Sequence, residues 1–311
     1  MMDVGIVIVT HNSGEEIGAC LDAALRTGAQ IIVIDNASED ATASLVTERG
    51  VRLLTSVSNL GFAGGVNQGV RALGTPFILL LNPDAVIQKG VDFLRETCSA
   101  PQVAAVGGML VDESGTPQVG FMLRRFPTAA MLCFETLLIN RLWPCNRLNW
   151  QYRCLDLDHT APGEVEQPAG AFLMFRRSAW EAVGGLDERF HPLWFEDVDF
   201  LKRIKDRGHR ICYDPRAVAK HTGGHSIRKV SLEFRQLYWY GSLLKYSAKH
   251  FSPVAEKAVC LAVIFGSVLR TVLGVSHQRS LKPIAVYGKI VRLAGRQLFF
   301  GQREVEELSL P

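Results

Sequence analysis

The sequence predicts an α/β protein with a mostly parallel central sheet flanked by helices and a helical C-terminal extension. Three observations carry this. Apolar runs of strand length alternate with helical patterns over residues 3–110; several of these runs end in polar residues; and from 231 onward the pattern is helical throughout.

In order, the strand candidates are VGIVIVT (4–10), IIVIDN (31–36), VRLLTS (51–56), PFILLLNPD (76–84) and VAAVGGML (103–110). Helices are expected near 14–27, 40–49, 62–73 and 90–98, the first capped by Ser13 and the second by Ser38 with acids in its first turn. Residues 111–165 are weakly patterned and read as an insertion, with Trp143, Trp150 and Tyr152 in an aromatic patch. Beyond it, Phe195 to Arg207 predicts a helix with Val198, Leu201 and Ile204 on one face and Gly208 as its stop. The resulting division is 1–226, in two parts (1–110 and 111–226), followed by a basic, apolar helical region, 227–311.

Composition narrows the function classes. The 311 residues are 48% hydrophobic and 21% charged, which suits a globular chain with a real core. The net charge is only +3, yet from Arg228 to Arg303 there are 13 Lys or Arg against Glu233 and Glu256. Those basic residues alternate with apolar stretches, which fits an anionic membrane surface better than nucleic acid. The run 258–275 is shorter than the ~20 apolar residues a span needs and contains Arg270, so an interfacial or re-entrant helix is preferred, with a buried core helix close behind. Seven cysteines with no C-x-x-C pair suggest neither a disulfide framework nor a thiolate zinc site, and a reducing cytoplasm fits. The N-terminus lacks a basic n-region, so the chain is expected to start directly with a strand rather than a signal peptide.

Three polar clusters stand at strand ends: Thr10-His11-Asn12, Asp35-Asn36 and Asn82-Pro83-Asp84. In a parallel sheet these ends share one rim, where ligands bind; the competing reading is that each is only a turn or cap. Between them SNLGFAGGVNQG (58–69) puts glycines at a helix start, where backbone N–H groups can hold a diphosphate, although the pattern is neither G-x-G-x-x-G nor a Walker loop. Asp84 facing a diphosphate would serve as an oxygen ligand to Mg²⁺ or Mn²⁺, and His221 could add an imidazole, which suits Mn²⁺ better. In FEDVDF, Asp197 and Asp199 point about 200° apart on a helix, so they are not a matched pair. The three acids could simply satisfy the helix dipole, or one could act as general base toward a substrate hydroxyl.

Taken together, IVIVTHNS, VIDNAS, NLGFAGGVNQG, LLLNPDA, AGAFLMFRR, GLDERF, WFEDVDF and HTGGHS resemble, in order over residues 3–226, the inverting glycosyltransferases of family 2, especially bacterial rhamnosyltransferase-like members. The resemblance implies a GT-A fold, Rossmann-like. It implies that Thr10, His11, Asn12, Asp35 and Asn36 hold the nucleoside, and that Asn59, Gly61, Phe62, Gly65 and Asn67 line the nucleotide pocket. Asp84 would hold the metal, His221 would complete its shell, Asp197 would deprotonate the acceptor hydroxyl and Glu196 would orient the acceptor. Gly170 and Ala171 would floor the acceptor site, or form a β-bulge; Trp194 would stack on an acceptor sugar, or be core. Many relatives carry Asp-x-Asp where this chain has Asn82-Pro83-Asp84, one carboxylate fewer for the metal. The Asn-Pro-Asp form points to dTDP-L-rhamnose as donor and a glycan or polyprenyl-linked acceptor in surface polysaccharide synthesis, at the inner face of the plasma membrane. A nucleotidylyltransferase and a non-catalytic sugar-nucleotide-binding module are the alternatives. The oligomeric state is left open.

Overall fold

In the computed structural model, residues 3–223, 230–278 and 281–301 are described. The chain opens β1 (Val4–Thr10), α1 (Ile17–Leu25), β2 (Gln30–Asp35), α2 (Thr42–Glu48), β3 (Arg52–Thr55), α3 (Gly61–Ala72) and β4 (Phe77–Leu81). There follow β5 (Ala85–Lys89), α4 (Val91–Ser99), β6 (Val103–Val111) and β7 (Leu123–Arg124), then three short helices α5 (Ala129–Thr136), α6 (Ile139–Leu142) and α7 (Arg147–Tyr152). The remaining elements are β8 (Gly163–Glu164), β9 (Gln167–Pro168), β10 (Phe172–Arg176), α8 (Arg177–Val183), a 3₁₀ turn Glu188–Phe190, α9 (Glu196–Asp206), β11 (Arg210–His221), α10 (Leu232–His250), α11 (Pro253–Gln278) and α12 (Lys282–Phe300).

Two compact units result. The first takes 1–126, 153–192 and 196–229; the second takes 127–152, 193–195 and 230–311, so the stretch that holds α5 to α7 groups with the C-terminal helices. The boundary expected at 226/227 and the second histidine of HTGGHS, His225, lie outside the described residues.

In the first unit a nine-stranded sheet runs β3-β2-β1-β4-β10-β6-β11-β5, with β8 on β11. Strands β1 to β4 pair in parallel, as their continuous apolar runs require, and every residue of β1 is buried. The sheet is mixed rather than parallel beyond β4, because β10 enters antiparallel between β4 and β6. It starts on the rim where β4 stops, and the Asn82 N–H donates to the Ala171 carbonyl at 3.0 Å. β11 tolerates Pro215 because its register with β6 breaks between Asp214 and Val218.

Neither expected cap forms. Ser13 offers its carbonyl, not its hydroxyl, to Glu16 N and Ile17 N, while Asp40 Oδ1 accepts from Thr42 N at 3.0 Å at the start of α2, which has no acid in its first turn. The expected helix over 195–207 is α9, with Leu201 and Ile204 buried and Gly208 at φ +82° after it. All seven cysteines are free, and burial pushes the Cys98 and Cys260 thiols up to about 12.

Candidate active site

At the ends of β1 and β2, Thr10 and Asp35 are register partners, and the Thr10 hydroxyl donates to Asp35 Oδ1 at 3.0 Å. Ser38, expected as a cap, instead donates its hydroxyl to the same oxygen and its N–H to Oδ2. His11 Nδ1 donates to the Asn36 carbonyl at 2.7 Å, which leaves Nε2 to accept from the Asn12 amide at 3.5 Å. Asn12 sits at φ +53° and its Oδ1 accepts from Glu39 N at 2.8 Å. Asn36 donates to the Gly61 carbonyl at 3.0 Å, but its Oδ1 is buried without a hydrogen-bond partner. Such an atom is costly to leave unmatched, so it marks a place for a ligand donor.

The start of α3 departs from the expected anion cradle. The Gly61 N–H donates to Asn59 Oδ1 at 2.8 Å and the Phe62 N–H to the Pro192 carbonyl at 2.8 Å, so two of the four donors a helix start offers are spent. The glycines serve packing: a Cβ on Gly65 would lie 2.6 Å from Val9 Cγ1, and one on Gly69 would lie 2.5 Å from Val7 Cγ1. Gly61, at φ +72°, would meet His191 and Pro192. Asn67 is likewise occupied, donating to the Leu186 carbonyl and Glu188 Oε1 and accepting from Trp180 Nε1 and Leu186 N, all between 2.8 and 3.0 Å. It ties α3 to the 185–188 loop.

The end of β4 differs. Asp84 Oδ1 lies 3.4 Å from His221 Nε2, both side chains being nearly buried, and Thr222 N donates to the Asp84 carbonyl. Gln118 fixes the imidazole. Its amide nitrogen donates to the His221 carbonyl at 2.7 Å, which turns its oxygen to His221 Nδ1 at 3.1 Å, so Nδ1 carries a proton. Phe121 stacks on the ring at 5.3 Å. The ring therefore presents Nε2 to a carboxylate oxygen, an arrangement that would suit a cation shared between them. Among the described residues no group of three or more His, Cys, Asp or Glu could hold a metal, so the donor set fits an ion that also takes phosphate oxygens. Gln118 was not singled out in the sequence; it lies 103 positions from His221 in a weakly patterned loop.

On the same rim, Gly170 N donates to Asp197 Oδ2 at 3.1 Å and Val198 N to Oδ1 at 2.8 Å. A Cβ on Gly170 would stand 3.2 Å from the Asp197 carboxylate, so glycine permits this approach. Burial raises the Asp197 carboxyl above the ordinary 3.8, opposed by those N–H groups and by the charge of Arg124 on β7. Glu196 is buried with Oε2 unpartnered, and burial first, then the Asp197 charge, pushes it well up. Asp199 takes a different part: fully buried, it accepts from Arg203 at 2.8 Å and belongs to the fold. Because Ala171 holds Asn82 and Gly170 holds Asp197, one short segment links the Asp84–His221 pair to the carboxylates of α9. Trp194, half-buried at φ +74°, belongs to the segment grouped with the second unit, as does Phe195, which packs on Tyr246.

Comparison with known proteins places this chain in a family. A family model described as glycosyltransferase like family 2 matches residues 2–239. The N-acetylglucosaminyl-diphospho-decaprenol L-rhamnosyltransferase of Mycobacterium tuberculosis is 31% identical over 241 residues, 71% of this chain and 76% of the relative. The low-salt glycan biosynthesis hexosyltransferase Agl10 of Haloferax volcanii is 24% identical over 65% of this chain and 62% of its own. The fold resembles that of a Pyrobaculum calidifontis mannosyltransferase solved with GDP-Man and Mn²⁺ (TM-score 0.55, 16% identity, 97% of this chain and 88% of that one). It also resembles GalNAc-T7 solved with UDP, GalNAc and Mn²⁺ (TM-score 0.53, 13% identity, 71% and 44%). With the family model spanning most of the chain and a relative above 30% identity, this protein belongs to glycosyltransferase family 2, as a GT-A member of the rhamnosyltransferase-like kind.

Proposed function

We propose that this glycosyltransferase moves an L-rhamnosyl group from dTDP-L-rhamnose, with inversion, onto a hydroxyl of a polyprenyl-diphosphate-linked sugar in surface polysaccharide synthesis. The observation that carries the chemistry is the Asp197 carboxylate. It is half-buried, oriented by two backbone N–H groups, raised in pKa by burial, and joined through Gly170–Ala171 to the segment that ends in Asp84. A base so held accepts the proton of an acceptor hydroxyl. The hydroxyl oxygen bonds to the anomeric carbon as the bond to the diphosphate oxygen breaks, and the electron pair of that bond leaves with dTDP. Inversion is the outcome the family resemblance implies, and a single base fits direct displacement.

Asp84 and His221 would hold a divalent cation, Mn²⁺ or Mg²⁺, which when bound supplies Lewis-acid neutralisation of the leaving diphosphate. Gln118 keeps His221 Nε2 turned toward Asp84. His11, Asn12, Asp35 and Asn36, with Thr10 bracing Asp35, form the nucleoside end, where the unmatched Asn36 Oδ1 awaits a donor such as a base N–H. Asn59 and Phe62 stand at the edge of this end. Glu196, whose carboxyl is pushed well above its ordinary value by burial and then by the Asp197 charge, stands next to Asp197 as the group that would orient the acceptor.

The diphospho-decaprenol acceptor in the rhamnosyltransferase relative's name supports the lipid-linked assignment, and a lipid-linked acceptor agrees with an enzyme peripheral to the inner membrane face. The test is transfer from dTDP-rhamnose, UDP and GDP sugars to a synthetic polyprenyl-diphospho-N-acetylglucosamine, with the product's anomeric configuration read by NMR. Transfer from dTDP-rhamnose with inversion is expected. Preference for a UDP or GDP sugar would retire the rhamnose assignment, and retention would retire Asp197 as base.

A further inference from the structure

The second unit carries a surface that sugar transfer does not use. Helix α11 is long and apolar enough to cross a membrane by length and composition, yet it is committed along one side: Val259, Cys260, Val263 and Ser267 are buried. A Cβ on Gly266 would clash at 2.0 Å with the Thr136 carbonyl of α5, so this contact fixes which side of α11 faces inward. The other side is a stripe at spacings of three and four: Leu261, Phe265, Val268, Leu269, Val272 and Leu273, each at least 41% exposed.

Within the stretch 261–273 the serine and the arginine turn inward. Ser267 is fully buried. Arg270, which interrupts the apolar run in the sequence, folds inward: its guanidinium donates to the carbonyls of Thr136, Gly266 and Glu135 and lies 5.9 Å from the Tyr240 ring. The stripe is thus continuous because its only strong charge has been turned inside and satisfied. A contiguous apolar surface of this kind marks an interaction site.

Charge selects the occupant. The neighbouring helix α12 exposes Arg292 and Arg296 one turn apart, and Lys257 is exposed near the start of α11. Exposed basic side chains on the helices of this unit are complemented by a surface of anionic phosphates and not by a second copy that carries the same charges. The buried side of α11, with Ser267 and the Arg270 guanidinium turned into the unit, leaves one apolar side to meet lipid, as in a helix lying at the interface.

We propose that the outward stripe of α11 lies in the interfacial layer of an anionic bilayer, with Arg292 and Arg296 engaging lipid phosphates. This deepens the membrane localisation above and draws on no part of the transfer chemistry.

The test is sedimentation of the full chain with vesicles of phosphatidylcholine, with and without phosphatidylglycerol. Binding to the anionic vesicles, weakened by salt, is expected. The double variant F265E/V272E should lower the partition coefficient by about tenfold or more, with an unchanged melting temperature. The variant R292E/R296E should lose the preference for phosphatidylglycerol. Wild type left in the supernatant at low salt, or F265E/V272E binding as wild type does, would overturn the proposal. A dimer in sedimentation equilibrium that F265E/V272E dissociates, without vesicle binding, would make the stripe a self-interface and overturn it too. Vesicle binding without sugar transfer would instead count against the transfer reading alone, and transfer without vesicle binding against this one alone.

Discussion

The start of α3 and the end of β4 both interrupt apolar sequence with small or polar residues beside the same sheet, and both could be read as phosphate sites. Their hydrogen bonds separate them. At α3 the first N–H groups are given to Asn59 and Pro192, Asn67 is saturated by Leu186, Glu188 and Trp180, and Gly65 and Gly69 let the helix close on β1. At β4 the Asp84 carboxylate and His221 Nε2 face each other across 3.4 Å. A glycine-rich helix start therefore signals close packing as readily as ligand approach, and only the destination of each N–H decides between them.

The largest effect that would sharpen this contrast is at Asp197, tied to the β4 side through Gly170. Asp197→Asn is expected to lower kcat by about 10³-fold, within the range for a general base, with donor binding unchanged. Because burial raises this carboxyl above 3.8, the protonated, inactive form persists to higher pH than for a free aspartate. The rate should thus rise with pH through an inflection above 3.8, and Asp197→Asn should lose that inflection. Full turnover by the variant would remove the base.

Next in size is Gly65→Ala on the α3 side. Its Cβ would press on a β-branched valine, so a stability loss of about 1–3 kcal/mol is expected by denaturant unfolding. Donor affinity of the folded fraction should hold. A large loss of affinity with stability intact would return α3 to the ligand and break the comparison. The smallest effect is at Gln118→Ala, which should weaken metal-dependent donor binding by about tenfold through the freed imidazole while metal-independent binding stays.

The sequence was clear where physics is local. Continuous apolar runs betrayed β1, β2, β4 and β6 because strands covered on both faces need no alternation, and the spacing of Leu201 and Ile204 betrayed α9. It was opaque where partners are distant. Nothing near Phe172 announces that β10 runs antiparallel between β4 and β6, and β5, partly exposed, lacks the apolar run that marks its neighbours. Asp84 and His221 were legible as residue types with a use. Gln118 and Arg124 were not, since their value lies in orienting or facing a group far along the chain. The same holds for Arg270, which in sequence breaks an apolar helix and in the fold is withdrawn from its surface.

The central claim is that Asp84 and His221 together hold the metal under the donor diphosphate. Calorimetry of dTDP-rhamnose binding with and without Mn²⁺, on wild type and Asp84→Ala, tests it most directly. Binding that needs Mn²⁺ and is lost by about 10–100-fold in the variant is the predicted result. Binding that is equally tight without metal, or unchanged in Asp84→Ala, would contradict it.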